Sequence, residues 1–169
     1  MDISETQFWG VMVAVIAVIA SIVFNLINKR YQKKQLQITT LFHVFETLSS
    51  QDIRDARKFV YDEYHLLKKE GKPIIFNRTP FLQQQADKVK SSFDRVSVLV
   101  HDKLIDDELF FKLYGGIVIR SWKALEEDIA NDRELNPVYC EDFKKLKKWC
   151  EKRYTPETMP QPYQRQSQS

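Results

Sequence analysis

The sequence predicts an all-α fold, in which an N-terminal transmembrane helix continues into a cytosolic bundle of about four to five helices. Three observations predict it. A twenty-residue stretch near the N-terminus carries no charge and no proline. Beyond it, apolar residues recur three or four apart in successive segments, the spacing of one helix face. No two-residue apolar alternation competes anywhere, so strands find no support.

The apolar stretch is Phe8 to Ile27, FWGVMVAVIAVIASIVFNLI. At the helical rise it spans about 30 Å, the thickness of a bilayer's hydrocarbon core. Twelve of its residues are Val, Ile, Leu or Phe. Together these favour insertion by roughly 4 to 7 kcal/mol before the polar positions are subtracted. Asn25 is strongly polar, but it lies near one end, within reach of headgroups. A cleaved signal peptide would need a basic leader and a shorter apolar core. Here Asp2 and Glu5 precede a full-length core, which favours a retained anchor.

Every Lys and Arg lies after residue 28, with Lys29, Arg30, Lys33 and Lys34 forming a collar just past the span. The positive-inside rule then sets the C-terminal side in the cytosol and the N-terminus outside, in the inner or plasma membrane. The expected layout is a short extracytoplasmic N-terminus (1–7), the transmembrane helix (8–27), a cytosolic helical domain (28–154) and a disordered tail (155–169). Membrane lipid is the first expected partner, held by the anchor and by the collar at about 1 kcal/mol per charge. Within the span, Gly10, Ala14, Ala17 and Ser21 are spaced 4, 3 and 4 and share a face. Small residues let two such helices approach closely, so a homo-oligomer is one expectation.

Past the span no glycine appears before Gly71 and no proline before Pro73. Ile38, Leu41, Phe42, Phe45 and Leu48 keep the helical spacing, so the anchor is expected to run on as one helix to about residue 48. Ser49-Ser50-Gln51-Asp52 is a capping cluster for a second helix from Ile53 to about Glu70, with Ile53, Ala56, Val60, Tyr64 and Leu67 inward. The apolar loop at 72–78 is expected to tuck against the bundle. Asn77-Arg78-Thr79 matches a glycosylation acceptor, but on the cytosolic side it is better read as Thr79 capping a helix that opens on Pro80.

That third helix should run to about Leu104 on a stripe of Leu82, Ala86, Val89, Phe93, Val96 and Val100. Asp106-Asp107-Glu108 reads as a cap and an acidic first turn for a fourth helix to about Asn131. Its broad apolar face, from Phe110 through Tyr114, Val118 and Trp122 to Ile129, predicts two neighbours. Gly115-Gly116 inside it suits a bend or a close contact. Asn136-Pro137 is expected to open a fifth helix to about Arg153, and the Pro- and Gln-rich residues from Thr155 onward lack anything to pack.

Candidate chemistry is sparse. His43, His65 and His101 fall on three different helices with no paired-ligand spacing, which argues against zinc. Cys140 and Cys150 stand ten residues apart, too far along a helix for a bridge. No nucleophile elbow and no glycine-rich phosphate loop occurs. Asp52 with Asp55, and Asp106-Asp107-Glu108, could in principle hold a divalent cation. Both groups open helices, where the helix dipole alone explains acidic residues. No catalytic residue, metal site or cofactor is therefore expected. The last helix has a basic face at Lys144, Lys145, Lys147, Lys148, Lys152 and Arg153, but Glu141, Asp142 and Glu151 interrupt it. No aromatic interleaving offers base stacking, which argues against nucleic acid.

Arg57 lies inside the apolar stripe of the second helix and needs a partner. Asp94, flanking Phe93 on the third, is the expected one, as a structural ion pair fixing helix register.

Asp52-Ile53-Arg54-Asp55-Ala56-Arg57 followed by Phe59-Val60, then Phe93-Asp94-Arg95-Val96, Leu109 to Tyr114 and Trp122, resemble an uncharacterised prokaryotic family of membrane-anchored helical proteins, the domain of unknown function 4760 type. The resemblance covers about residues 8 to 150 and implies the same layout, with emphasis on Ala56-Arg57 and Asp94. It implies no activity. The expected role is a membrane-tethered, non-enzymatic helical module that binds an unknown protein partner or itself. The alternatives are a membrane-attached effector enzyme using acidic residues and a divalent metal, and a sensor of anionic lipid or nucleic acid.

Overall fold

A computed structural model describes residues 3–154, with side chains from residue 8 onward. Five helices and no strand occur among the described residues. The expected disordered tail, 155–169, lies outside them, as do Met1 and Asp2.

Helix α1 (Ile3–Ser49) is a single helix of 47 residues, about 70 Å long at the standard rise. It takes in most of the expected N-terminal segment and the whole apolar stretch. None of that stretch is buried by the rest of the chain, and it is long and apolar enough to cross a membrane. The far end of α1 belongs to the bundle, where Leu41, Val44 and Leu48 are buried. Ile38, Phe42 and Phe45, expected on the same packed stripe, stay exposed.

Ser50 breaks the chain direction, and its hydroxyl accepts the Ile53 amide to open α2 (Gln51–Lys69). Gly71, at φ 63, supplies the left-handed residue that closes α2. The Lys72 amide bonds back to Leu67 O and the Gly71 amide to Lys68 O, so the terminal carbonyls are satisfied. The 72–78 loop tucks in as expected, burying Ile74 and Phe76.

Thr79 and Pro80 open α3 (Pro80–His101) as the sequence implies, with the Thr79 hydroxyl accepting the Leu82 amide at 3.2 Å. It ends earlier than expected because Lys103 adopts φ 55 and reproduces the closure seen at Gly71 without a glycine. Gln37 of α1 donates to Lys103 O at 3.0 Å and holds that turn. Helix α4 (Asp107–Asp132) is capped by Asp106, whose carboxylate accepts the Leu109 amide at 2.8 Å. Gly115 gives the expected close contact: a Cβ there would meet Phe111 Cδ2 at 2.7 Å.

Helix α5 (Glu141–Arg153) begins later than Asn136-Pro137 suggested. Residues 137–140 are a turn, and Cys140 at φ 53 forbids a continuous helix through it. Arg133 pins that turn by donating to Tyr139 O at 2.8 Å and to Glu141 at 3.2 Å.

In the packed part, α3 lies against α2 and α5, and α4 against α5, α2 and α3. Phe93 and Phe143 stack with centroids 5.1 Å apart, and Trp122 meets Phe143 edge-on at the same distance. Phe76 has no exposed surface although it comes from a loop, so it is as much a core residue as these. Phe76→Ala should lower unfolding free energy by about 3–5 kcal/mol. Leu135→Ala, at a side chain 94% exposed, should shift it by less than ~0.5 kcal/mol. Denaturant unfolding in detergent micelles, followed by helicity, measures both.

Candidate functional site

A buried charge cluster sits where the 72–78 loop, α3, α4 and the α4–α5 turn meet. Lys90 of α3 is only 2% exposed. Its ammonium reaches Asp132 at 2.7 Å and Asp87 and Asp128 at 2.9 Å each. Three carboxylates thus take the three protons an ammonium can donate. Asp128 also accepts the Phe76 amide at 2.7 Å, and Glu127 accepts the Ile74 amide at 2.9 Å. The loop is therefore hung by its backbone from two adjacent carboxylates of α4. Tyr139 closes the other side, its ring 5.2 Å from Lys90 Nζ.

Burial alone would push the Lys90 ammonium down, but the hydrogen bonds it donates to Asp132 and Asp87 and the charge of Asp128 more than offset it. The net direction is up, so Lys90 stays charged and has no lone pair for nucleophilic work. Its contribution to stability is complete below its ordinary value of 10.5 and is lost only as pH rises beyond that. Burial pushes the Tyr139 phenol up to about 12. The Cys140 and Cys150 thiols are likewise pushed up by burial, each to about 12. Both are free and buried, with the thiolate disfavoured, which makes them packing residues.

The expected Arg57–Asp94 pair is a correction. Arg57 is buried, as its place in the stripe implied, but its Nη1 donates to Leu48 O at 2.7 Å. It neutralises the carbonyl end of α1, where a cation is favoured by the helix dipole. Burial lowers its pKa. Asp94 instead accepts the Phe143 amide at 2.9 Å. It thereby caps α5 from a neighbouring helix, because Cys140 at the N-cap position makes no side-chain cap bond. Each residue satisfies a helix terminus rather than the other.

The acidic groups considered for a metal are engaged singly. Asp52 meets Lys88 at 2.6 Å, Asp55 accepts from Gln51, Asp107 meets Arg153 and Glu108 meets Lys112. Among the described residues no three His, Cys, Asp or Glu side chains are arranged to hold a metal ion. His43, His65 and His101 are all exposed. On α5, Lys145 pairs with Asp142 and Lys147 with Glu151, which splits its basic face as the sequence suggested. Lys29, Arg30, Lys33 and Lys34 stand exposed on α1, between the apolar stretch and the bundle. Gly10, Ala14, Ala17 and Ser21 are exposed too, and a Cβ at Gly10 would meet nothing within 4 Å.

A family model described as a domain of unknown function (DUF4760) matches residues 10–149, from the apolar stretch into α5. The chain belongs to that family. No curated protein and no solved structure matches it. The DUF4760 region thus reaches into all five helices and takes in the Lys90 cluster and both cross-helix caps. Sequence reasoning missed Lys90, although the signal was present: it lies four residues after Ala86 and three before Phe93, inside the apolar stripe. Asp128, three residues after Leu125 and beside Ile129, was equally visible.

Lys90→Met should cost about 3–5 kcal/mol, because it strands Asp128 in the core without its cation. Lys88→Met, which breaks the more exposed pair with Asp52, should cost less than ~1 kcal/mol. Chemical unfolding in micelles compares the two. The thiols give a pH signature. Their ordinary value is 9.0 and their folded value about 12, so the unfolded chain ionises first and stability falls as pH rises through that window. Cys150→Ala should make that alkaline slope shallower, and both native cysteines should resist alkylation at neutral pH until the chain is unfolded.

Proposed function

We propose that this chain is a single-pass membrane protein whose bundle serves as a binding module at the cytosolic face, without catalysing a reaction. The observation that carries it is α1: a twenty-residue, predominantly apolar stretch that no other part of the chain covers runs, without a break in the helix, into a well-packed core. Leaving that much apolar surface in water is costly, and a bilayer removes the cost at the length the helix supplies. The collar at Lys29, Arg30, Lys33 and Lys34 favours an inward-facing bundle and gives anionic headgroups a place to bind.

A binding role is favoured over chemistry by how the polar groups are used. Lys90 has its three protons committed, Arg57 and Asp94 serve helix ends, and the candidate metal carboxylates already hold lysines, an arginine, a glutamine side chain or a backbone amide. The bundle meanwhile presents apolar side chains to the outside, among them Phe42, Phe45, Leu109 and Leu113. Tethering such a surface raises its effective concentration for partners in the same membrane.

Alkaline washing should leave the chain in the membrane pellet. Protease added to intact cells should spare the bundle, whereas protease added to inverted vesicles should cut in the exposed 28–36 stalk and release it. Digestion from outside the cell would reverse the orientation, and release by the alkaline wash would dispose of the anchor.

A further inference from the structure

We infer that α1 is one strand of a parallel two-stranded coiled coil, so that the partner of this chain is a second copy of itself. The inference rests on the tethered reading above and names the partner. Taken from Gly10 in alternating steps of four and three, the positions on α1 are Gly10, Ala14, Ala17, Ser21, Phe24, Asn28, Tyr31, Gln35, Ile38, Phe42, Phe45 and Ser49. These are the a and d positions of a heptad, its core seam, and although Ser21, Asn28, Gln35 and Ser49 are polar, no seam position is charged. The absence is informative because the seam crosses the collar. Lys29, Arg30 and Lys33 fall at outward heptad positions, and only Lys34 flanks the seam. Two collars can therefore lie side by side with most of their charge turned away from each other.

The outer half of the seam carries the inference. Tyr31, Ile38, Phe42 and Phe45 are between 46% and 66% exposed on a helix whose next face is packed into the bundle. Leu41, Val44 and Leu48 occupy that packed face, roughly a quarter turn away. Tyr114 of α4 touches only the end of this face, meeting Phe45 edge-on at 6.4 Å and sharing a 2.9 Å hydrogen bond with Ser49, while Tyr31, Ile38 and Phe42 stay largely uncovered. Aromatic side chains bury about 150–250 Å² each, so half of that at Tyr31, Phe42 and Phe45, with a smaller share from Ile38, gives roughly 400 Å² per copy. With Asn28, Gln35 and the flanking stems, two copies bury about 1,000 Å², the lower bound for a specific contact. The small residues from Gly10 to Ser21 extend the same seam into the apolar stretch, where close approach is what holds helices together.

Polarity and register follow from the anchor. Two copies inserted the same way are parallel, and their collars meet the surface at the same depth. Asn28 then faces Asn28 and Gln35 faces Gln35 at core positions, where polar pairs favour an in-register alignment.

The test uses the full-length chain in membrane vesicles, with a cysteine introduced at the seam (Phe42→Cys) or at an outward position (Lys33→Cys), treated with a short bis-maleimide. The unmodified chain sets the background, since Cys140 and Cys150 are buried. Phe42→Cys should shift to a band at twice the chain mass of 20.1 kDa, and Lys33→Cys should stay at background. Adding Ile38→Asp and Phe45→Asp to Phe42→Cys should abolish the shifted band while helical content and retention after an alkaline wash are unchanged. Equal crosslinking at both positions, no crosslink at Phe42→Cys in washed membranes, or a crosslink to a different protein would overturn the pairing and leave the tether intact. Release of the chain by the wash would overturn both.

Discussion

One helix has to satisfy two environments, and the rest of the molecule is arranged around that constraint. The backbone ladder of α1 runs from Ile3 to Ser49 with no proline and with Gly10 as its single glycine. From Phe8 to Ile27 its side chains are turned outward, and its last turns give one stripe to the bundle. Because the ladder does not break between the two, the bundle's position is fixed by where α1 is held. The bundle begins at Gln37, ten residues past Ile27, which sets it about 15 Å beyond the apolar stretch.

Within the bundle, ionised groups are spent on helix ends and loop backbone. Arg57 closes α1, Asp94 opens α5, and Asp128 with Glu127 hangs the 72–78 loop. Lys90 is the counterweight that allows three aspartates to converge at the junction of α3, α4 and the α4–α5 turn. Such groups are costly to bury singly and are tolerated because each has a partner. Their geometry ties segments far apart in the chain, which apolar packing alone would leave free to slide.

The helices were legible because periodicity and caps are local properties. Thr79-Pro80, Asp106 and the Ser50 cluster act where the sequence implies. The errors in extent have a common cause in left-handed residues. Lys103 shortens α3 and Cys140 delays α5, and neither is a glycine or asparagine that would announce the turn. Pairing across helices was not legible. Arg57 stands out by its place in an apolar stripe, yet a stripe tells only that a charge is buried and not which of several polar groups it meets, so Asp94 is the wrong partner. Backbone carbonyls and amides, invisible to side-chain patterning, took both. Lys90 and Asp128 carried the same mark and were passed over among their apolar neighbours.

The unbroken ladder of α1 also has a mechanical consequence. With the apolar half held in a bilayer as proposed, there is no joint between anchor and bundle to absorb a change of angle. Transmembrane helices lean by about 20° on average, more in thin bilayers than in thick ones. A lean of that size, acting over the roughly 30 Å from mid-membrane to the start of the bundle, would carry that point sideways by roughly 10 Å. So held, the chain would act as a lever, with local lipid thickness setting how far its loaded end swings.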